Sequence, residues 1–367
     1  MHWYEINNTE AIDTPALVIY QERVHENIRR LLQMVNNRVD RLRPHVKTNK
    51  IAEVCQMMKE AGIYKFKCAT IAEAEMLAMI GAEDVLLAYQ PVGPKANRFL
   101  QLIIQYPTTS FSCVVDNIQS AQYLSTIFSE HFLSVNIFID INTGMNRTGI
   151  LTNQAFFLFE ALELLKSINV IGLHVYDGHI RETDIEVRKQ KVAAAYSEVK
   201  MLAEKIEAAN NEKIVIIAGG STTFSVYAQF ENIECSPGTF IFWDNGYKTL
   251  FPDQPFDCAS LVITRVISIV DKQTITTDLG YKSVAAESPL PRIYFLNAVD
   301  SLPISQSEEH LVVTVPSLAN YKVGDILYGV PFHICPTVAL YNTALLIKKN
   351  TVVDEWKVIA RDRKISI

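Results

Sequence analysis

Arg43-Pro44-His45-Val46-Lys47-Thr48-Asn49-Lys50 is the stretch of this chain best equipped for chemistry. A β-rich run from Asp40 to Val46 leads into Lys47, and a helix-like segment, Ile51 to Ala61, follows. A lysine at the carboxyl end of a parallel strand reaches the mouth of a barrel, where catalytic side chains gather. There its amine can act as a nucleophile and form a Schiff base with a carbonyl cofactor. The same lysine also fits a solvated turn, as most lysines do, and local sequence leaves both readings open.

Four other groupings have chemical potential. Arg147 lies just past a β-rich run, in Asp140-Ile141-Asn142-Thr143-Gly144-Met145-Asn146-Arg147-Thr148-Gly149, where a guanidinium can donate to an oxyanion. Tyr176 ends another run, and its ring can stack on a planar cofactor or simply pack. Gly219-Gly220-Ser221-Thr222 and Pro237-Gly238-Thr239 each follow a β-rich run. Glycines expose backbone N–H groups to a phosphate, and hydroxyls add donors. Phosphate often binds in the loops after the last two strands of a barrel, which is where these two turns fall. Finally, His333 and Cys335 are two apart, so in an extended strand they point to the same side and can share one metal ion. Two donors leave positions for water or substrate; a buried cysteine beside a satisfied histidine is the structural alternative.

The elements that must position these groups alternate. The β-rich runs are Leu42–Lys47, Lys65–Ala69, Val85–Tyr89, Thr109–Val115, Val135–Ile141, Val170–Tyr176, Ile214–Ala218 and Ile233–Ser236. Helical periodicity separates them, as in Ile71–Ile80 and Glu182–Ala208. Eight such units predict a closed (β/α)8 barrel. After Phe251-Pro252-Asp253-Gln254-Pro255, a linker-like segment, the pattern becomes strands and turns. Ala259–Val270, Thr274–Asp278, His310–Val315, Ile326–Val330, Val338–Lys348 and Thr351–Ile359 predict a C-terminal β-domain.

Composition excludes several classes. The chain has 367 residues, 49% hydrophobic and 20% charged, with a net charge of −6. That is a globular balance, and no basic stripe points to nucleic acid. No apolar run is long enough to span a bilayer, and Met1 to Glu10 does not read as a signal peptide. Six scattered cysteines predict reduced thiols and a cytoplasmic protein.

The octapeptide around Lys47 closely resembles the cofactor-lysine motif of the D-threonine aldolase and D-serine dehydratase family, with Asn49 where the family usually has histidine. The resemblance recurs along nearly the whole chain. It implies pyridoxal 5′-phosphate on an alanine-racemase-like barrel, with Lys47 as the Schiff-base lysine. It further implies that the barrel spans residues 22–250, starting with a helix at Glu22–Val35. The strand at Pro15–Tyr20 then belongs to the second domain, residues 1–21 together with 251–367.

Other residues match in turn. Arg147 sits in a segment similar to the family's Asp-x-Gly-x-x-Arg-x-Gly, whose arginine contacts the phenolic oxygen of the pyridoxal ring. Tyr176 falls where racemase relatives stack a histidine, and His179 reads as either a site residue or a cap. Gly220, Ser221, Thr222, Gly238 and Thr239 become phosphate contacts. Ser236 stands where alanine racemases have an arginine facing the pyridine nitrogen, a departure from a plain racemase. His333-x-Cys335, followed by Pro336-Thr337-Val338, resembles the dehydratase-like form of a metal pair that is His-x-Asp in the aldolases. Thiolate favours zinc, carboxylate manganese or magnesium.

The expectation is therefore a homodimeric lyase that uses pyridoxal phosphate and a divalent metal, zinc preferred, on 3-hydroxy-D-amino acids. It leans to D-serine-type dehydration. The alternatives are an aldolase giving glycine and an aldehyde, an amino-acid racemase, a pyridoxal-phosphate carrier and a non-enzymatic scaffold.

Overall fold

The computed structural model describes residues 2–367. It divides into two compact units. One comprises residues up to Arg30, Thr48–Glu53 and Thr239–Arg361; the other comprises Leu31–Lys47, Val54–Gly238 and Asp362–Ile367.

In the first unit, β1 (Ala16–Tyr20) precedes helix α1 (Gln21–Met34), which runs on into the second unit. The second unit alternates strands and helices. Its elements are α2 (Ala52–Glu60), β2 (Lys65–Cys68), α3 (Ile71–Met79), β3 (Asp84–Leu87), α4 (Pro94–Gln105), β4 (Ser110–Val115) and α5 (Ile118–Ser129). There follow β5 (Val135–Asn142), β6 (Ile150–Leu151), α6 (Thr152–Leu162), β7 (Ile168–Val175), α7 (Ile185–Asn210), β8 (Val215–Ala218), α8 (Phe224–Tyr227) and β9 (Glu234–Cys235). Strands β2-β3-β4-β5-β7-β8-β9 form one parallel sheet, with the short β6 paired to β5. The strands read as apolar runs because a sheet covered by helices buries both faces. Leu86, Val114, Phe138 and Ile217 fill its interior from four different strands. Local signals start the helices. Thr70 caps α3 by accepting from Glu73 N, and Asp184 caps α7 by accepting from Glu186 N and Val187 N.

The expected first strand, Leu42–Lys47, does not form. In its place an irregular segment makes two isolated parallel bridges, Leu42 to Cys235 and His45 to Lys67, which close the sheet into a ring. Arg43 N donates to Cys235 O at 2.8 Å and His45 N to Pro237 O at 2.9 Å, while Lys67 N donates to Pro44 O at 2.9 Å. The reason is Pro44, which has no N–H to give the ladder. After His45 the chain tightens into a 3-10 turn, Val46–Thr48, so Lys47 sits on a turn rather than on a strand end. Side chains reinforce the closure. Ser236 Oγ donates to Arg43 O at 2.9 Å, and the buried Arg43 guanidinium pairs with Asp84 and Glu234. Burial works against the Arg43 charge, but those two carboxylates hold it firmly protonated.

The first unit continues with α9 (Asn245–Leu250), β10 (Ser260–Ile269), β11 (Thr274–Thr277), β12 (Ile293–Phe295), β13 (Leu302–Gln306), β14 (Leu311–Thr314), β15 (Ile326–Pro331), α10 (Ile334–Val338), β16 (Thr343–Lys348) and β17 (Thr351–Lys357). These strands and β1 make a nine-stranded sheet, ordered β13-β14-β11-β10-β1-β16-β17, with β15 paired to β10 and β12. β1 pairs antiparallel to β10 and parallel to β16. The expected strand beginning at Val338 starts only at Thr343, because Ile334–Val338 is a helix. Among the described residues, no helix is long and apolar enough to cross a membrane. All six cysteines are free thiols.

Candidate active site

In the barrel unit, three of the expected residues converge. Lys47 Nζ lies 5.6 Å from the centre of the Tyr176 ring, and the Arg147 guanidinium carbon lies 5.0 Å from it. Both distances are within the range of cation–π attraction. Lys47 is half-buried on its 3-10 turn, Tyr176 follows β7, and Arg147 is exposed on the loop between β5 and β6. Two glycines give the ring its place. A Cβ on Gly178 would fall 2.3 Å from Tyr176 Oη, and one on Gly220 would fall 3.1 Å from its Cε2. His179 packs against the Arg147 loop, where a Cβ on Gly144 would meet its Nε2 at 2.8 Å.

The turn after β8 fits a phosphate. The buried Thr222 hydroxyl has no hydrogen-bond partner, a condition that normally signals a missing ligand or water. Gly238 N donates to Ser221 Oγ at 3.1 Å, so the turns after β8 and β9 meet. Beneath them, Thr223 Oγ1 donates to the buried Asp177 carboxylate at 2.8 Å. A lysine amine, an arginine, an aromatic face and a hydroxyl-lined turn are the donor set that pyridoxal phosphate requires. Ser236 is spent on barrel closure, so it offers the pyridine nitrogen no free hydroxyl proton.

In the other unit, His333 and Cys335 do come together, though not in a strand. His333 is the N-cap of α10 and Cys335 lies in its first turn. Pro336 explains the helix, since proline is tolerated in a first turn. His333 hydrogen-bonds to Cys335, and its Nδ1 pairs with Glu287. Burial pulls the imidazole down, but Cys335 and then Glu287 carry it up to about 9. A metal ion would displace that proton. Thr48 Oγ1 lies 3.1 Å from Cys335 Sγ, and Thr239 Oγ1 lies 3.7 Å from it. Asp244 accepts from Ile334 N at 3.0 Å and so fixes the start of the helix. Among the described residues, no three His, Cys, Asp or Glu side chains cluster as a ready metal site. The pair fits an open two-donor site, in which the Glu287 carboxylate, bonded to Nδ1, fixes the orientation of the imidazole.

Sequence reasoning missed Glu287, Thr48 and Asp177 as neighbours of these groups. It gave no role to Asp278–Lys282 or Ser307–His310, and the structure packs these two segments together. Tyr281 N donates to Ser307 O at 2.9 Å, and Lys282 pairs with Glu308 and Glu309.

Known proteins match this arrangement over most of its length. Residues 19–246 match the profile of the alanine racemase N-terminal domain, and residues 259–347 match that described as "Putative serine dehydratase domain". A D-threonine aldolase of Arthrobacter sp is 26% identical over 95% of this chain and 93% of its own. The crystal structure of D-threonine aldolase from Filomicrobium marinum superposes with a TM-score of 0.89, at 23% identity and 98% of both chains. A cysteine-to-alanine variant of D-threo-3-hydroxyaspartate dehydratase, described as the metal-free form, superposes with a TM-score of 0.82, at 21% identity over 95% of this chain and 97% of that one. With well over half its residues matched and its barrel built the same way, the chain belongs to the alanine racemase N-terminal domain family, in the branch that carries a serine dehydratase-type β-domain.

Proposed function

We propose that this protein is a pyridoxal-phosphate- and divalent-metal-dependent lyase of 3-hydroxy-D-amino acids, and that it eliminates the β-hydroxyl to give a keto acid and ammonia. The observation that carries the reading is the convergence of Lys47 and Arg147 on the Tyr176 ring. When bound, pyridoxal phosphate supplies an electron sink for negative charge at the substrate Cα. Lys47 would hold it covalently and take the Cα proton at Nζ. Arg147 would donate to the phenolic oxygen, and Tyr176 would present its ring face. Gly220, Ser221, Thr222, Gly238 and Thr239 would supply backbone and hydroxyl donors to the phosphate.

His333 and Cys335 would hold one divalent ion, which supplies a Lewis acid for the β-hydroxyl oxygen. Cys335 favours zinc over manganese or magnesium, because thiolate is the softer donor. The metal-free description of a relative that has lost a cysteine supports giving Cys335 this role. The aldolase names of other relatives favour a second reading, in which a base takes the hydroxyl proton and Cα–Cβ breaks to glycine and an aldehyde.

Products decide between the two. Incubation with D-threonine, D-serine and D-3-hydroxyaspartate should yield a keto acid and ammonia from at least one of them. Glycine and aldehyde as the only products would leave the aldolase reading standing. Lys47→Ala should lose both the visible absorption of the bound cofactor and turnover. Borohydride trapping on a different lysine would refute the assignment of Lys47.

A further inference from the structure

Arg147 has little of its own to hold it in place. It is exposed, and among the described residues its guanidinium makes no hydrogen bond or ion pair; it only lies over the Tyr176 ring. An arginine side chain has many rotamers to choose from. Its place over the ring therefore depends on where the backbone of its loop starts it.

That loop, residues 143–149, is fastened on both sides of Arg147. On the far side the anchors come from the barrel. Gly149 N donates to Asp116 Oδ2 at 3.0 Å, and the Thr148 side chain bonds Asp140. Asp116 is itself tied by Gln90 Nε2 at 3.0 Å and Asn117 Nδ2 at 2.7 Å. Asp140 meets His174 Nδ1 at 2.7 Å, and His174 Nε2 lies 3.4 Å from Nζ of the buried Lys67. Gly149 runs so close to β5 that a Cβ there would fall 2.7 Å from Asn142 N.

The near side depends on one residue. Asn142 ends β5, and its Oδ1 accepts from Gly144 N at 3.0 Å and from Asn146 N at 3.1 Å. Its Nδ2 donates to Asn146 Oδ1 at 3.1 Å. Among the described residues, the Asn142 side chain supplies every hydrogen bond that residues 143–147 make. Asn146, directly before Arg147, has a φ of 52°. That left-handed conformation is costly for most side chains, and local hydrogen bonds of an asparagine offset the cost. Without Asn142 the chain entering Arg147 would lose both its fixed turn and the partner of its strained residue.

We propose that Asn142 is a positioning residue for Arg147: its side-chain amide, clasped to Asn146, fixes the backbone that delivers the guanidinium to the Tyr176 ring. The inference rests on the reading of Arg147 as a cofactor contact.

The test is a double-mutant cycle on the affinity of the full chain for pyridoxal 5′-phosphate, titrated by visible absorption. It compares wild type, Asn142→Ala, Arg147→Ala and the double variant, with borohydride trapping to show that Lys47 is the site in each. Arg147→Ala should weaken binding. Asn142→Ala should weaken it about five-fold, the scale of one net hydrogen bond. The double variant should bind no more weakly than Arg147→Ala alone, because a residue that acts only through Arg147 has nothing left to act on. A general structural role would instead add its loss in both backgrounds, and additive losses would overturn the proposal. So would an Asn142→Ala protein with wild-type affinity. Should Asn142→Ala fail to fold, Asn146→Gly takes its place in the cycle, since glycine accepts the left-handed φ and removes only the side-chain bond. Arg147→Ala with wild-type affinity would sink the reading of Arg147, and this inference with it.

Discussion

Exchanging Cys335 for aspartate replaces a soft donor by a hard one while His333 keeps its Glu287 partner. Cys335→Asp should therefore move metal preference from zinc toward manganese, read by metal analysis of the purified protein, and raise the share of Cα–Cβ cleavage among products. A variant that still prefers zinc and keeps the wild-type product ratio would remove the ground for favouring dehydration. At this scale the sequence was informative where chemistry lies within a few neighbouring positions. The octapeptide around Lys47 and the His333-x-Cys335 pair are local patterns, and each can be read without a fold. Glu287 is 46 residues from His333 along the chain, so no spacing rule could connect them. Lys67 did leave a signal: a charge between Phe66 and Cys68 in a strand that the alternating pattern requires to be buried.

Elements were legible in type and less so in detail. The runs that became β3–β5, β7 and β8 are rich in apolar and β-branched residues, and tertiary packing agrees with their local preference. The segment at Leu42–Lys47 has only Leu42 and Val46 in favour of a strand, and the missing N–H of Pro44 tells against one. Around Cys335 the extended reading failed because Pro336 suits a helical first turn as well as it suits a strand end. β12 and β13 were not foreseen; they are short, and Pro303 interrupts the second.

One stability consequence belongs to β2. Lys67 Nζ lies 3.4 Å from His174 Nε2, and burial, then the Lys47 charge, bring Lys67 down to about 7 in the folded chain, against an ordinary 10.5 unfolded. Between those values the unfolded chain binds more protons, so stability rises with pH across that window and the penalty is complete below it. Lys67→Met removes the penalty. It should stabilise the cofactor-free protein at pH 7 by on the order of a few kcal/mol, less the cost of the lost His174 contact, and the gain should shrink toward pH 10. Urea unfolding at several pH values measures it. An equal effect at every pH would mean that Lys67 is charged when folded.

At the scale of the whole molecule, the order of the parallel strands follows the chain, which is why alternation alone led to a barrel. The contents of the β-rich unit were harder to read, since its nine strands come from both ends of the sequence and pair out of order. Assembly is a separate question. We propose a homodimer, as the family resemblance implied, for which sedimentation at assay concentration should give about twice the 41.4 kDa chain mass. A fully active monomer would count against it.

The ring of the barrel has one seam. Seven of its staves are zipped by regular ladders, whereas the stave that carries Lys47 is held by two single bridges and the side chains of Arg43 and Ser236. Local opening is cheapest where backbone pairing is sparsest. The amides of Arg43, His45 and Lys67, which form the seam, should therefore exchange with deuterium well before those of Ile137 and Ile139 in mid-sheet. Anything that grips Lys47 in the closed ring raises the cost of opening through mass action. Protection of three backbone protons would then report cofactor occupancy with no substrate present. Cofactor that left their exchange unchanged would mean that the seam and the lysine are energetically independent.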